Sequence, residues 1–297
     1  MVSETKVLVT GHRGQLGSDL MEGLSASFDI TGVDIDMLDI TDKSAVMEFI
    51  EKLQPDIVIH AAAYTNVDGC ETNAELAMGV NRDGTSNVAE ACRNIGAYMI
   101  YYSTDYVFDG QADAPYVETD SPNPQTVYGR SKLAGEEAVR KMLDDYAILR
   151  IAWVYGKSGK NFVKTMVRLA QIQQETKRRG ETVKPLTVVD DQIGNPTWTM
   201  DIVRQTQTVI DRRLKGLYHS TSEGQCSWYR FASDIFEIVG FDVDLQACST
   251  AEFPRPAKRP AMSVLENRRL NEADANVMRH YRMALEEFLT TNEGLIS

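Results

Sequence analysis

Tyr128 and Lys132 stand four residues apart in Tyr128-Gly129-Arg130-Ser131-Lys132. On a helix this spacing puts a phenol and an ammonium on one face. A neighbouring cation stabilises a phenolate, so Lys132 is expected to lower the pKa of Tyr128 from ~10 toward the range useful for proton exchange with a substrate oxygen. Such a pair is common by chance and takes its meaning from position. Ser103-Thr104, two hydroxyls that close an apolar run, come 24 residues before Tyr128. Thr104 is therefore the third candidate catalytic residue.

A second constellation lies near the N-terminus. Gly11-His12-Arg13-Gly14-Gln15-Leu16-Gly17 follows a β-branched run and opens a helical one. Glycines at Gly11, Gly14 and Gly17 allow a tight turn, close backbone approach and close helix–strand packing. The helix N-terminus then offers free N–H groups to a pyrophosphate. Asp34, 23 positions after Gly11, ends the next strand. A carboxylate there accepts hydrogen bonds from ribose hydroxyls and repels a 2′-phosphate, which favours NADH; Arg13 offers a cation that would admit NADPH. Asp39 and Ile40 follow, with a side chain able to reach the adenine amino group.

These residues need a scaffold that brings strand ends together. Strands are expected at Lys6–Thr10, Ile30–Asp34, Asp56–Ala61, Ala97–Ser103 and Tyr146–Ile151. They alternate with helices over Gly14–Ser25, Ala45–Leu53 (capped by Thr41), Val80–Asn94 and Thr126–Leu143. This alternation predicts an α/β fold, a Rossmann-type doubly wound parallel sheet over residues 1–155. A smaller substrate-binding part, 156–297, follows. Its helices are expected at Asn161–Lys177, Thr199–Arg213, Trp228–Val239 and Tyr281–Thr290. A strand is expected over Val183–Val189, and one near Gly216–His219 could return to the main sheet. Phe253–Pro260, with three prolines and three cations, reads as a stiff extended loop.

Composition narrows the partners. The 297 residues carry 31 Lys+Arg against 43 Asp+Glu, a net charge of −12. Nucleic acid and anionic membrane surfaces are therefore poor partners. The longest apolar stretch, Ile57–Tyr64, is far short of the ~20 residues that span a bilayer. The N-terminus, MVSETKVLVTG, lacks the cationic and apolar regions of a secretory leader. Cys70, Cys92, Cys226 and Cys248 are dispersed and read as reduced thiols of a cytoplasmic protein. His60, on an apolar strand, reads as a satisfied core histidine.

Gly11–Gly17, Ala61-Ala62-Ala63, Asn81, Ser103-Thr104 and Tyr128…Lys132 together resemble an extended short-chain dehydrogenase/reductase. Four longer runs are narrower: 103–110 (STDYVFDG), 60–68 (HAAAYTNVD), 150–156 (RIAWVYG) and 191–197 (DQIGNPT). They are similar to the dTDP-4-dehydrorhamnose reductases, and the resemblance covers nearly the whole chain. It implies a nucleotide-sugar 4-ketoreductase. It also implies dinucleotide contacts at Gly14, Gln15, Leu16, Asp34, Asp39, Ile40, Ala62, Ala63, Tyr64, Thr65, Tyr102, Tyr128 and Lys132. Substrate contacts are implied at Thr104, Asp105 and Trp153, and a nucleotide clamp at Arg259 and Ser263. That clamp run reads Arg259-Pro260-Ala261-Met262-Ser263-Val264-Leu265, with Met262 where the family usually has Asn. Sugar-nucleotide 4,6-dehydratases carry Thr-Asp-Glu after strand four. Here the third residue is Tyr106, which disfavours elimination and favours reduction. The family sometimes holds Mg²⁺ at a subunit interface and forms homodimers; no acidic cluster in this sequence assigns a metal. Two other functions fit the same resemblance: a regulatory subunit like that of methionine adenosyltransferase, and a ketoreductase for another nucleotide sugar.

Overall fold

The structure is a computed structural model and describes residues 5–292 and Gly294. Met1–Glu4, part of the segment read for a leader, lie outside the described residues. The first half runs β1 (Lys6–Thr10), α1 (Gln15–Leu24), β2 (Asp29–Val33), α2 (Lys43–Leu53) and β3 (Ile57–His60). Two short helices follow, α3 (Val67–Thr72) and α4 (Ala74–Met78), then a π turn over Gly79–Gly84. The half closes with α5 (Thr85–Ile95), β4 (Tyr98–Thr104), α6 (Val127–Met142) and β5 (Tyr146–Ile151). The later elements are β6 (Val154–Tyr155), α7 (Phe162–Arg178), β7 (Leu186–Val189), β8 (Ile193–Gly194), β9 (Thr197–Trp198), α8 (Thr199–Asp211) and β10 (Gly216–His219). They end with β11 (Cys226–Ser227), α9 (Trp228–Val239), β12 (Leu245–Cys248), α10 (Arg268–Glu272) and α11 (Tyr281–Thr291).

Six strands form one sheet in the order β10-β5-β4-β3-β1-β2, every pair parallel. Parallel strands are buried on both faces, and successive residues serve opposite layers. Val7 and Val9 of β1 join the cluster under α1 and α8, while Leu8 joins the cluster under α2, α5 and α6. Residues 199–219 belong to these layers although they follow residue 155: α8 packs on α1, and β10 extends the sheet beside β5. A third cluster, including Tyr155, Phe231, Leu285 and Phe288, lies among α7, α9 and α11.

Two local expectations need correction. Asp42, not Thr41, caps α2: its carboxylate accepts from the Ala45 amide at 3.0 Å, while Thr41 donates to Asp39. The helix expected over Val80–Asn94 begins in the π turn, and α3 and α4 occupy a segment for which the sequence suggests no element. They are too short for a helical period to show. Asn66 caps α3 by accepting from the Gly69 amide at 2.9 Å.

Candidate active site

The glycine loop closes against the sheet because side chains are missing. A Cβ on Gly17 would stand 2.0 Å from the Gly11 carbonyl oxygen, and one on Gly11 (φ +72°) 2.7 Å from Ala62. Gly14 begins α1 without a side-chain cap, and the first-turn amides of Gln15, Leu16 and Gly17 have no acceptor among the described residues. Those free donors at the positive end of a helix suit a pyrophosphate. Asp34 is held by two backbone amides, Arg13 at 3.1 Å and Ile35 at 2.9 Å. The Arg13 guanidinium turns to Asp36 at 2.8 Å.

Above β3 and β4, the loop and α1 share a cavity of about 450 Å³ with the catalytic candidates. Its wall includes Gly14, Gln15, Leu16, Ala63, Thr65, Tyr102, Thr104, Asp105, Tyr128, Lys132 and Trp153. Gly11, Arg13, Asp34, Asp39, Ile40, Ala62 and Tyr64 stand outside this wall. Asp39 is occupied by Thr41, and Ile40 is buried beneath the π turn. The backbone of Tyr64 is bracketed by Asn81, whose side chain accepts from its N–H at 2.8 Å and donates to its carbonyl at 3.0 Å. His60 sits between Thr10 and Thr85 at 2.7 and 3.1 Å, and burial pushes it down to about 3, so it is a neutral core residue.

Thr126 caps α6 through the Gly129 amide at 3.0 Å, which fixes Tyr128 in the first turn. Burial holds the Tyr128 phenol above the ordinary range, and Asp105 adds to this; the Thr104 hydroxyl beside it works the other way. This corrects the expectation of a lowered phenol, because desolvation of the phenolate outweighs the neighbouring hydrogen bond. A neutral phenol is the form a proton donor requires. Lys132 is buried and pushed down to about 7, opposed by Glu136. Its ammonium lies 4.1 Å over the Tyr101 ring and makes no hydrogen bond to a described residue. Glu136 is locked by Arg150 in a buried pair with contacts of 2.8 Å. Thr104 donates to Asp105 at 2.8 Å, and burial raises Asp105 to about 6. The second carboxylate oxygen of Asp105 and the Ser103 hydroxyl are buried without partners among the described residues. Free helix-end amides, an unpartnered ammonium and orphaned oxygens fit a bound dinucleotide and a polar substrate.

Trp153 and Tyr106 also line a second cavity of about 590 Å³ with Phe162, Trp228, Phe253, Arg255 and Arg259. Trp153 takes φ +47° and stacks on Trp228 at 3.6 Å between ring centres. Its indole N–H donates to Ser263 at 3.0 Å. Sequence reasoning missed Phe162 and Trp228, because aromatic residues opening a helix look like core. Among the described residues no group of three or more His, Cys, Asp or Glu could hold a metal ion, and no helix is long and apolar enough to cross a membrane.

Comparison with known proteins gives the chain a family. Residues 5–293 match the family described as the RmlD substrate binding domain. The chain is 41% identical to the spore coat polysaccharide biosynthesis protein SpsK of Bacillus subtilis, covering 96% of this chain and 97% of that protein. It is 40% identical to a dTDP-4-dehydrorhamnose reductase of Mycobacterium tuberculosis, over 94% of this chain and 91% of the relative. The solved dTDP-4-dehydrorhamnose reductase of Bacillus anthracis, in complex with NADP, superposes with a TM-score of 0.92 at 39% identity, covering 97% of this chain and all of that one. The chain belongs to the RmlD family, the family of the dTDP-4-dehydrorhamnose reductases.

Proposed function

We propose that the protein reduces the C4 ketone of a nucleotide-linked deoxyhexose with NADH or NADPH, converting dTDP-4-dehydro-L-rhamnose to dTDP-L-rhamnose. One observation carries this reading: the glycine loop, Tyr128, Lys132 and Thr104 face a single crevice that meets an aromatic and arginine-bearing cavity at Trp153 and Tyr106. The first cavity suits a dinucleotide, and the second suits a base between aromatic rings with a diphosphate near Arg255 and Arg259.

A reduced nicotinamide, when bound, supplies the hydride. The chain's part is to manage the charge that develops on the ketone oxygen. Tyr128, kept neutral by burial, donates its phenolic proton to that oxygen. Thr104 orients the phenol and the ketone, and Lys132 fixes the ribose that carries the hydride donor. Tyr106, edge-on to Tyr128 at 5.6 Å, stands where a dehydratase has a carboxylate, so no side chain there serves elimination. Asp34 and the Arg13–Asp36 pair face the adenosine end and set the balance between the two cofactors. Cofactor binding falls to residues 1–155, and substrate binding to 156–297 together with Asp68, Tyr106 and Trp153, which line the same cavity. Four free thiols, three of them buried, support a cytoplasmic setting. A homodimer is expected from family resemblance and is checked by light scattering.

The test is turnover of dTDP-4-dehydro-L-rhamnose followed at the nicotinamide absorbance. Tyr128→Phe is expected to lose ~10²–10⁴-fold in kcat while cofactor Kd is unchanged. Near-wild-type turnover by Tyr128→Phe would remove Tyr128 as the acid. A wild-type protein that binds NADH and reduces no 4-keto nucleotide sugar would turn the reading to a regulatory subunit.

A further inference from the structure

The proline-rich loop 253–260 forms one side of the larger cavity, and Arg255 and Arg259 line the space assigned above to a diphosphate. A loop of this kind has no ladder of its own to hold it. Apart from the Phe253 amide, which closes the preceding turn on Thr250, 253–260 makes two polar contacts to other elements among the described residues, and both end on the same carboxylate. Asp68 accepts from the Ala257 amide at 3.1 Å through Oδ1 and pairs with the Arg259 guanidinium at 3.0 Å through Oδ2. Arg259 also donates to the Ala257 carbonyl at 3.4 Å, which folds its side chain back along the loop. At the end of the loop, Pro260 packs so closely on Gly110 that a Cβ on Gly110 would stand 2.3 Å away, and just after it the Met262 amide donates to the Gly110 carbonyl at 3.2 Å. The C-terminal end is thus pinned by backbone, whereas the middle depends on Asp68.

Asp68 lies in the first turn of α3, a helix that also serves the catalytic side. One turn later, Glu71 accepts from the Val127 amide at 2.9 Å, at the start of the helix that carries Tyr128. Consecutive turns of one short helix therefore hold the catalytic helix and the substrate loop. Asp68 and Arg259 are each about a quarter exposed (27% and 21%), so their pairing is only partly screened by solvent. A guanidinium carries five N–H donors, more than the Asp68 carboxylate and the Ala257 carbonyl take up, which leaves donors for a phosphate oxygen.

We propose that Asp68 is a positioning residue for the substrate: it latches the loop 253–260 to α3 and orients Arg259 toward the diphosphate of the nucleotide sugar. The carboxylate acts through Arg259 and does not touch the reacting atoms. The proposal rests on the reading of the larger cavity as the nucleotide-sugar site.

Two measurements test it on the full chain. Asp68→Asn keeps an oxygen for the Ala257 amide and removes the charge that holds Arg259. It is expected to raise KM for dTDP-4-dehydro-L-rhamnose by roughly tenfold, as for loss of one oriented charge-assisted contact. Its kcat should stay within about twofold and its Kd for NADPH should not change, since the crevice is untouched. Asp68→Glu, which restores the charge on a longer arm, should recover part of the KM. Limited trypsin digestion reads the latch without turnover. Arg255 and Arg259 precede prolines, so Lys258–Arg259 is the one readily cut bond in the loop. Cleavage there should be several-fold faster in Asp68→Ala than in wild type, and dTDP should slow it in wild type. An unchanged or lowered KM in Asp68→Asn would overturn the orienting role, and an unchanged cleavage rate in Asp68→Ala would overturn the latch. If wild type reduces no nucleotide sugar, the functional reading fails, while the digestion arm still decides whether Asp68 holds the loop.

Discussion

Asp105 shows how one buried residue couples chemistry to stability. Burial raises its carboxyl from near 3.8 to about 6, against the Thr104 hydroxyl that favours the ionised form. A raised folded-state pKa means that the native state binds the proton more tightly than the unfolded chain. The stabilisation is fully present below about pH 4 and is lost as pH rises through about 6. Asp105→Asn keeps the shape and an acceptor for Thr104 and removes the titration. Its stability relative to wild type is expected to rise by roughly 1–2 kcal/mol between pH 5 and pH 8, measured by urea unfolding at both. A flat or falling difference would show that the carboxyl is not desolvated in solution. Tyr128 and Thr104 were legible in the sequence because side-chain type and strand-end position carry their meaning. The direction of the Tyr128 shift was not legible, because burial is a property of everything packed around it.

At the scale of elements, α6 is placed by contact distances that only glycine permits. A Cβ on Gly129 would stand 2.1 Å from the Tyr106 carbonyl oxygen, and one on Gly135 2.3 Å from the Tyr101 hydroxyl. The helix therefore lies directly on β4 and on the turn after it, which sets Tyr128 beside Thr104. Gly129→Ala should push the first turn of α6 outward. A displacement of about 1 Å in a catalytic group can cost 10²-fold, so kcat should fall by at least tenfold, with a stability loss of about 1–3 kcal/mol. The check is kcat beside cofactor Kd; a kcat within twofold of wild type would mean that the close approach is not needed. The long helices were readable from period and caps. The segment α3–α4 was not, since five or six residues show no period, although Asn66 at its start carries a capping signal.

The whole molecule is held by elements that cross residue 155. β10 covers the edge of β5, and Ile202, Val203 and Val209 of α8 share the cluster formed by Val7, Leu20 and Ile59. A fragment of residues 1–155 would expose that face and leave β5 as an open edge. It is expected to show no cooperative urea transition and to aggregate, whereas the full chain unfolds cooperatively. A fragment with a sharp transition would show that the first half folds alone. The sequence by itself determined the parallel α/β architecture, the glycine loop and the Tyr128–Lys132–Thr104 set. Each of these is written in local period, in residue type or in a short spacing. The sequence also offered the return of Gly216–His219 to the sheet, but tertiary structure alone decided that α8 packs on α1, that Trp153 stacks on Trp228, and that Asp68 reaches Arg259. These contacts join residues as many as 191 positions apart, and no local pattern encodes which distant surface a side chain will meet.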